Sequence, residues 1–227
     1  MPTRNAADSL VTIGLCTMVG MPGSNPISAW KSLREGNERF VNDTLLHPSQ
    51  GAADRAKLVS GQHPHAILFG CGDSRVAAEL IFDQGLGDMF VVRTAGHVVD
   101  SSVLGSIEYG VEVLNVPLIV VLGHDSCGAV KATIDALDGG EVPGGFIRSV
   151  VERVTPSILI GRREGLTTID EFEARHVEET SRLLMQRSMI ISQRVATGQC
   201  AIASVTYKLA DGRVHLRRTV GNIGEVV

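Results

Sequence analysis

Two rhythms of apolar and polar positions run along the chain. Ala29, Trp30, Leu33, Asn37 and Phe40 recur at helical spacing with charges between them, behind a start signal at Asn25-Pro26 or Ser28. The spacing predicts an amphipathic helix over residues 29–41, about four turns long. Its stripe would suit either its own core or a partner subunit. His47-Pro48 interrupts the pattern, and residues 54–61 read as a short helix closed by Gly61.

From residue 66 the rhythm changes. Apolar runs at 66–69, 89–93 and 117–122 alternate with helical patterns at 76–84, 103–114 and 129–137. Runs of consecutive β-branched residues without in-out alternation belong to strands covered on both faces. The predicted fold is therefore α/β, with a mainly parallel central sheet flanked by helices. After the glycine-rich stretch 139–145 come helices at 147–159 and 169–196, the second carrying Phe172, His176, Val177, Thr180, Leu183, Leu184 and Arg187 among charged positions. Residues 200–207 and 214–220 flank Ala210-Asp211-Gly212 and predict a C-terminal hairpin that extends the sheet.

Length and composition narrow the class. The 227 residues suit one domain, assigned to 26–227, with residues 1–25 as a leader or disordered tail. The apolar run 10–20 is too short to span a bilayer and has neither a strong basic flank nor a small-x-small cleavage site; Met21 offers an alternative start. A balance of 21 basic and 25 acidic residues, net −4, forms no basic surface for nucleic acid or membrane. Four cysteines, Cys16, Cys71, Cys127 and Cys200, make no secreted disulfide framework and fit a reducing cytoplasm. Cys16 and Cys200 read as incidental or inert.

The chemistry gathers where two strands run out. Cys71-Gly72-Asp73-Ser74-Arg75 follows the first, and Gly123-His124-Asp125-Ser126-Cys127-Gly128 follows the third. In an open parallel sheet, ligands bind beyond the carboxyl ends of the strands, so the two segments can meet. Two thiolates and an imidazole, from Cys71, Cys127 and His124, favour zinc, one per chain. Three protein ligands leave one position, and Asp73 is the motif carboxylate able to compete for it. If Asp73 binds the metal the site is closed; if Arg75 holds it back the site is open and a zinc-bound water becomes hydroxide near neutral pH. Asp73 can only accept hydrogen bonds, so it would orient that nucleophile while Arg75 keeps it charged and fixed. His47, His63, His65, His97, His176 and His215 have no donor partner at ligand spacing and are assigned surface or packing roles.

At these residues the chain resembles the β-class carbonic anhydrases. The matching motifs are Cys71-Gly-Asp73-Ser-Arg75-Val, Glu108-Tyr109 and Gly123-His124-x-x-Cys127-Gly128, and similarity runs from about Trp30 to the terminal hairpin. The resemblance implies that Cys71, His124 and Cys127 bind zinc, with Asp73 as a fourth ligand in the closed state only, and that Asp73 and Arg75 form the catalytic dyad. It further implies that Gln62, Phe90, Tyr109 and Gly128 contact carbon dioxide or bicarbonate. Gln62, Phe90 and Tyr109 would reach across from a partner subunit, so a homodimer, or a tetramer built from it, is expected, with the N-terminal helix as an arm on the partner. A bicarbonate-inhibited subgroup carries a Trp where this chain has Leu68, although Arg93 and Tyr207 match its other two positions. The implied reaction is reversible hydration of carbon dioxide; hydrolysis of carbonyl sulfide or carbon disulfide, or a non-catalytic zinc site with Asp73 as permanent ligand, are the alternatives.

Overall fold

In the computed structural model, which describes residues 24–224, the chain begins with α1 (Pro26–Val41). Asn25 caps it by accepting from the Ser28 amide at 2.9 Å, and Pro26 occupies its first turn, where a missing N–H costs nothing. The stripe Ala29, Trp30 and Leu33 packs on the chain's own core, beside Phe82 and Leu122. Asn37 ties the helix to the rest of the chain, donating to the carbonyls of Ile81 (3.1 Å) and Gly212 (2.8 Å) and accepting from the Val214 amide (3.0 Å). Of the two surfaces the stripe could suit, its own core or a partner, it covers the core, and a partner would meet other faces of α1. The leader or tail at the N-terminus, including Cys16, falls mostly outside the described residues.

After α2 (Ala52–Leu58) the sheet begins with β1 (Ala66–Cys71), followed by a single helical turn, α3 (Ala78–Ile81), and β2 (Met89–Thr94). The helix expected over 76–84 is this short because Asp83, 2% exposed, collects the amides of Leu46 and His47 and the Arg39 guanidinium. Its backbone turns to a positive φ of 46° to reach them. Next come α4 (Ser101–Glu112), β3 (Leu118–His124), α5 (Gly128–Leu137), α6 (Ile147–Arg163), α7 (Ile169–Arg187), α8 (Met189–Ala196), β4 (Ala201–Tyr207) and β5 (Val214–Val220).

The strand order is β2-β1-β3-β4-β5, parallel except for the antiparallel β4–β5 hairpin. Every residue of β1, β3 and β4 is buried, as expected for strands covered on both faces. On β1, Ala66 and Leu68 face the layer containing Trp30 and Leu33, whereas Ile67 and Phe69 face the layer containing Ile107, Val177 and Leu184. β2 is an edge strand and is only partly covered.

The long helix expected over 169–196 is two helices. Ser188 is extended (φ −111°, ψ 113°) because its hydroxyl has other work: it accepts from the Ile191 amide at 3.1 Å and donates to Glu108 at 2.6 Å. A side chain that caps the second helix while bonding a distant carboxylate ends the first. No described helix is long and apolar enough to cross a membrane.

Candidate metal centre

β1 ends at Cys71 and β3 at His124, and Gly70 lies level with Leu122, so the two donors leave neighbouring strands at one end of the sheet. Cys127 stands at the cap position of α5, one residue before Gly128 opens the helix. The donor atoms of Cys71, His124 and Cys127 all lie within 4.8 Å of one another, and all three residues are buried. One ion with bonds of about 2.0–2.3 Å can engage such a set.

Hydrogen bonding aims two of the three donors. The His124 Nδ1 lies 2.8 Å from the Asp125 carbonyl, so Nδ1 carries the proton and Nε2 keeps its lone pair. That buried Nε2 has no hydrogen-bond partner. The Gly96 amide points at the Cys71 sulfur from 3.4 Å. Contact with Cys127 outweighs burial and pulls the Cys71 thiol well below its ordinary range, while the same contact with Cys71 pushes Cys127 upward. Two thiols this close disfavour ionising together, and a divalent cation between them is what allows both to be thiolates. An orphaned imidazole nitrogen beside two sulfurs fits zinc better than an oxygen-seeking cation.

Asp73 is held to one side. It accepts from Arg75 Nε at 3.0 Å, Arg75 Nη2 at 2.7 Å and the Arg75 amide at 2.9 Å. The Arg75 guanidinium therefore keeps its carboxyl far below the usual carboxylate range, against a smaller opposing effect of burial. The Asp73 Oδ2 stands 3.8 Å from His124 Nε2, close to the donor cluster but committed to Arg75. Arg93 fastens the same loop, donating to the carbonyls of Cys71 (2.8 Å) and Asp73 (2.6 Å).

The remaining predicted residues divide. Gly128 adjoins the cluster as the first residue of α5, and a side chain there would meet open space. Phe90 and Tyr109 pair with ring centroids 6.1 Å apart, on edge strand β2 and on α4. Phe90 lies opposite Ile67, four residues before Cys71, which puts it roughly 13 Å down the sheet from the donors of its own chain. Gln62 is exposed ahead of β1. The chain does not bring Gln62, Phe90 or Tyr109 to its own metal cluster.

Sequence reasoning missed what lies behind the cluster. Glu173, 1% exposed, accepts from the His124 amide at 3.2 Å and approaches His97 Nδ1 at 3.7 Å. Burial pushes its carboxyl up to about 8. His97 stacks on His176 at 4.4 Å, and His176 bridges the Gly96 carbonyl (2.9 Å) and the Ser157 hydroxyl (2.8 Å). The two histidines pack in the interior, where they form a polar layer under the donor cluster. The available signal was Glu173 itself, a carboxylate between Phe172 and His176 on the inward stripe of a helix. Gly123 makes the approach possible: a Cβ there would meet Val177 Cγ2 at 2.3 Å and Glu173 Oε1 at 2.5 Å.

A family model for carbonic anhydrase matches residues 66–214. A carbonic anhydrase of Mycolicibacterium smegmatis is 68% identical over 206 residues, covering 91% of this chain and 100% of that protein. Carbonic anhydrase 2 of Mycobacterium tuberculosis is 66% identical over 207 residues, with the same coverage of 91% and 100%. Among solved structures, the Coccomyxa β-carbonic anhydrase in complex with acetazolamide superposes with a TM-score of 0.66 at 25% identity, covering 82% of this chain and 86% of that one. A tetrameric β-carbonic anhydrase of Sordaria macrospora does so with a TM-score of 0.65 at 25% identity, covering 71% and 84%.

Proposed function

Because this chain belongs to the β-class carbonic anhydrase family and is an enzyme of the carbonate dehydratase class, we propose that its Cys71-His124-Cys127 cluster holds one zinc ion and supports reversible hydration of carbon dioxide to bicarbonate and a proton. The observation that carries this reading is the donor cluster with Asp73 locked beside it by Arg75. Zinc supplies Lewis acidity that makes water a usable nucleophile near neutral pH, less strongly through two thiolates than through three imidazoles.

The protein's own residues do the orienting. Asp73, ionised by its salt bridge, accepts a hydrogen bond from the attacking water and so leaves a lone pair turned towards the carbon atom. Arg75 keeps that carboxylate charged and away from the metal position. Gly128 offers its backbone N–H to the substrate oxygen as charge develops there. Gln62, Phe90 and Tyr109 of a second copy complete the carbon dioxide pocket, so the active unit is a homodimer or a tetramer containing it. Cys71 and Cys127 have to stay reduced to bind metal, a requirement that supports a cytoplasmic location.

A non-catalytic site with Asp73 as permanent fourth ligand is disfavoured by the three hydrogen bonds that engage Asp73 with Arg75. The test is stopped-flow hydration on zinc-loaded protein. The rate should rise with pH, and full zinc content with no hydration at about pH 8.5 would overturn the proposal. Faster turnover of carbonyl sulfide or carbon disulfide in a parallel assay would reassign the substrate.

A further inference from the structure

The bridge between two of the metal donors is held in a conformation that its residues do not favour. Asp125 and Ser126 separate His124 from Cys127, and Ser126 stands at φ 55°, in the left-handed region. For a residue with a Cβ that region is disfavoured roughly tenfold against the right-handed one. Turning over the peptide plane between Asp125 and Ser126 would carry the Ser126 φ back to negative values and relieve the strain. The same flip would undo the metal site. The carbonyl of that peptide accepts from His124 Nδ1 at 2.8 Å, and this bond keeps the proton on Nδ1 and the lone pair on Nε2. A flipped peptide turns its carbonyl away and leaves the imidazole free to change tautomer.

What opposes the flip comes from outside the bridge. Asp125 is fastened twice to the chain leaving β4: its amide donates to the Tyr207 carbonyl at 3.2 Å, and its Oδ1 accepts from the Leu209 amide at 3.0 Å. On the other edge of the peptide, the Ser126 N–H faces Asp170 Oδ1 at 3.5 Å. Lys208 links the two carboxylates, standing 3.7 Å from Asp125 Oδ2 and pairing with Asp170. These restraints are unequal. The Leu209 bond has a charged acceptor whose side chain is only 16% exposed, whereas the Asp170 contact is long and partly exposed ion pairs contribute little.

We propose that Asp125 is a positioning residue for the metal site: its carboxylate, bonded to the Leu209 amide, holds the strained peptide before Ser126 so that its carbonyl keeps His124 Nε2 aimed at the metal. The inference rests on the reading of Cys71, His124 and Cys127 as zinc ligands.

The test follows zinc transfer from the loaded protein to a chromophoric chelator, together with the His124 tautomer by nitrogen NMR of histidine-labelled, metal-free protein at about pH 8.5. Asp125→Ala should weaken zinc retention about 10–100-fold and turn the single Nδ1–H tautomer into a mixture, with the His124 signal assigned by its loss in His124→Gln. Asp125→Asn keeps an oxygen for the Leu209 amide, and Lys208→Met removes only the weak ionic link, so both should stay close to wild type. Ser126→Gly, which carries no left-handed penalty, should recover most of the loss when added to Asp125→Ala. Unchanged zinc retention and tautomer in Asp125→Ala would overturn the proposal. So would a loss that Ser126→Gly does not reduce, the result expected of general destabilisation. A wild-type protein that binds no zinc would refute the zinc reading alone, and the tautomer in the metal-free protein would still decide the role of Asp125.

Discussion

Gly123 is where packing and chemistry meet, and replacing it with alanine tests both. The added methyl would stand 2.3 Å from Val177 Cγ2 and 2.5 Å from Glu173 Oε1. Carbon atoms in contact ordinarily sit about 3.5–4.0 Å apart, so α7 must retreat by an ångström or more. Val177 is fully buried and has nowhere to turn. Overpacking of this kind costs about 1–3 kcal/mol, and 2 kcal/mol corresponds to a melting-temperature drop of roughly 4–8 °C in a domain of this size. The retreat also withdraws Glu173 from the His124 amide, loosening a ligand from behind, and lost support of this type weakens metal binding about 10–100-fold. Thermal denaturation and zinc competition against a chromophoric chelator measure the two effects separately. Gly105→Ala is the control: its methyl meets nothing within 4 Å, and on a helix it should stabilise by roughly 0.5–1 kcal/mol. Unchanged melting temperature and zinc affinity in Gly123→Ala would refute the packing argument.

Further outcomes follow from the same geometry. Asp73→Asn should keep full zinc while hydration falls about 100-fold or more, as expected when the charged hydrogen-bond acceptor that orients the nucleophile is lost; unchanged turnover would remove Asp73 from the mechanism. Cys71→Ala should abolish stoichiometric zinc binding, read by elemental analysis. Tyr109→Ala should lower hydration without loss of zinc and weaken the dimer, measured by sedimentation alongside turnover. His176 gives a pH signature. Burial lowers its pKa to about 4, below the unfolded value of 6.5, so its contribution is complete above pH 6.5 and is lost as pH falls towards 4. That contribution is about 3 kcal/mol in full. Denaturant midpoints should fall across this window in the wild type and much less in His176→Gln; parallel slopes would contradict the assignment.

The sheet and the clustering of Cys71, His124 and Cys127 were legible because local pattern and chemistry agree there. Fully buried strands must read as apolar runs, and their ends are where polar donors can emerge. Other features depended on distant partners. Ser188 breaks a helix through Glu108, eighty positions earlier, and Asp83 shortens α3 by gathering groups from residues 39–47. Glu173 looked like one more charge on a surface helix, because nothing local shows that Gly123 opens room for it against β3. The apolar stripe of α1 was visible as a stripe, but only the Asn37 bonds to Ile81 and Gly212 show which surface it covers.

The central claim is that Cys71, His124 and Cys127 hold a zinc that works while Asp73 stays with Arg75. Its most direct measurement is titration of metal-free protein with zinc, following bound metal and carbon dioxide hydration in the same samples at about pH 8.5. The account predicts saturation at one zinc per chain, with hydration rising in proportion to occupancy. Full occupancy without hydration would contradict it.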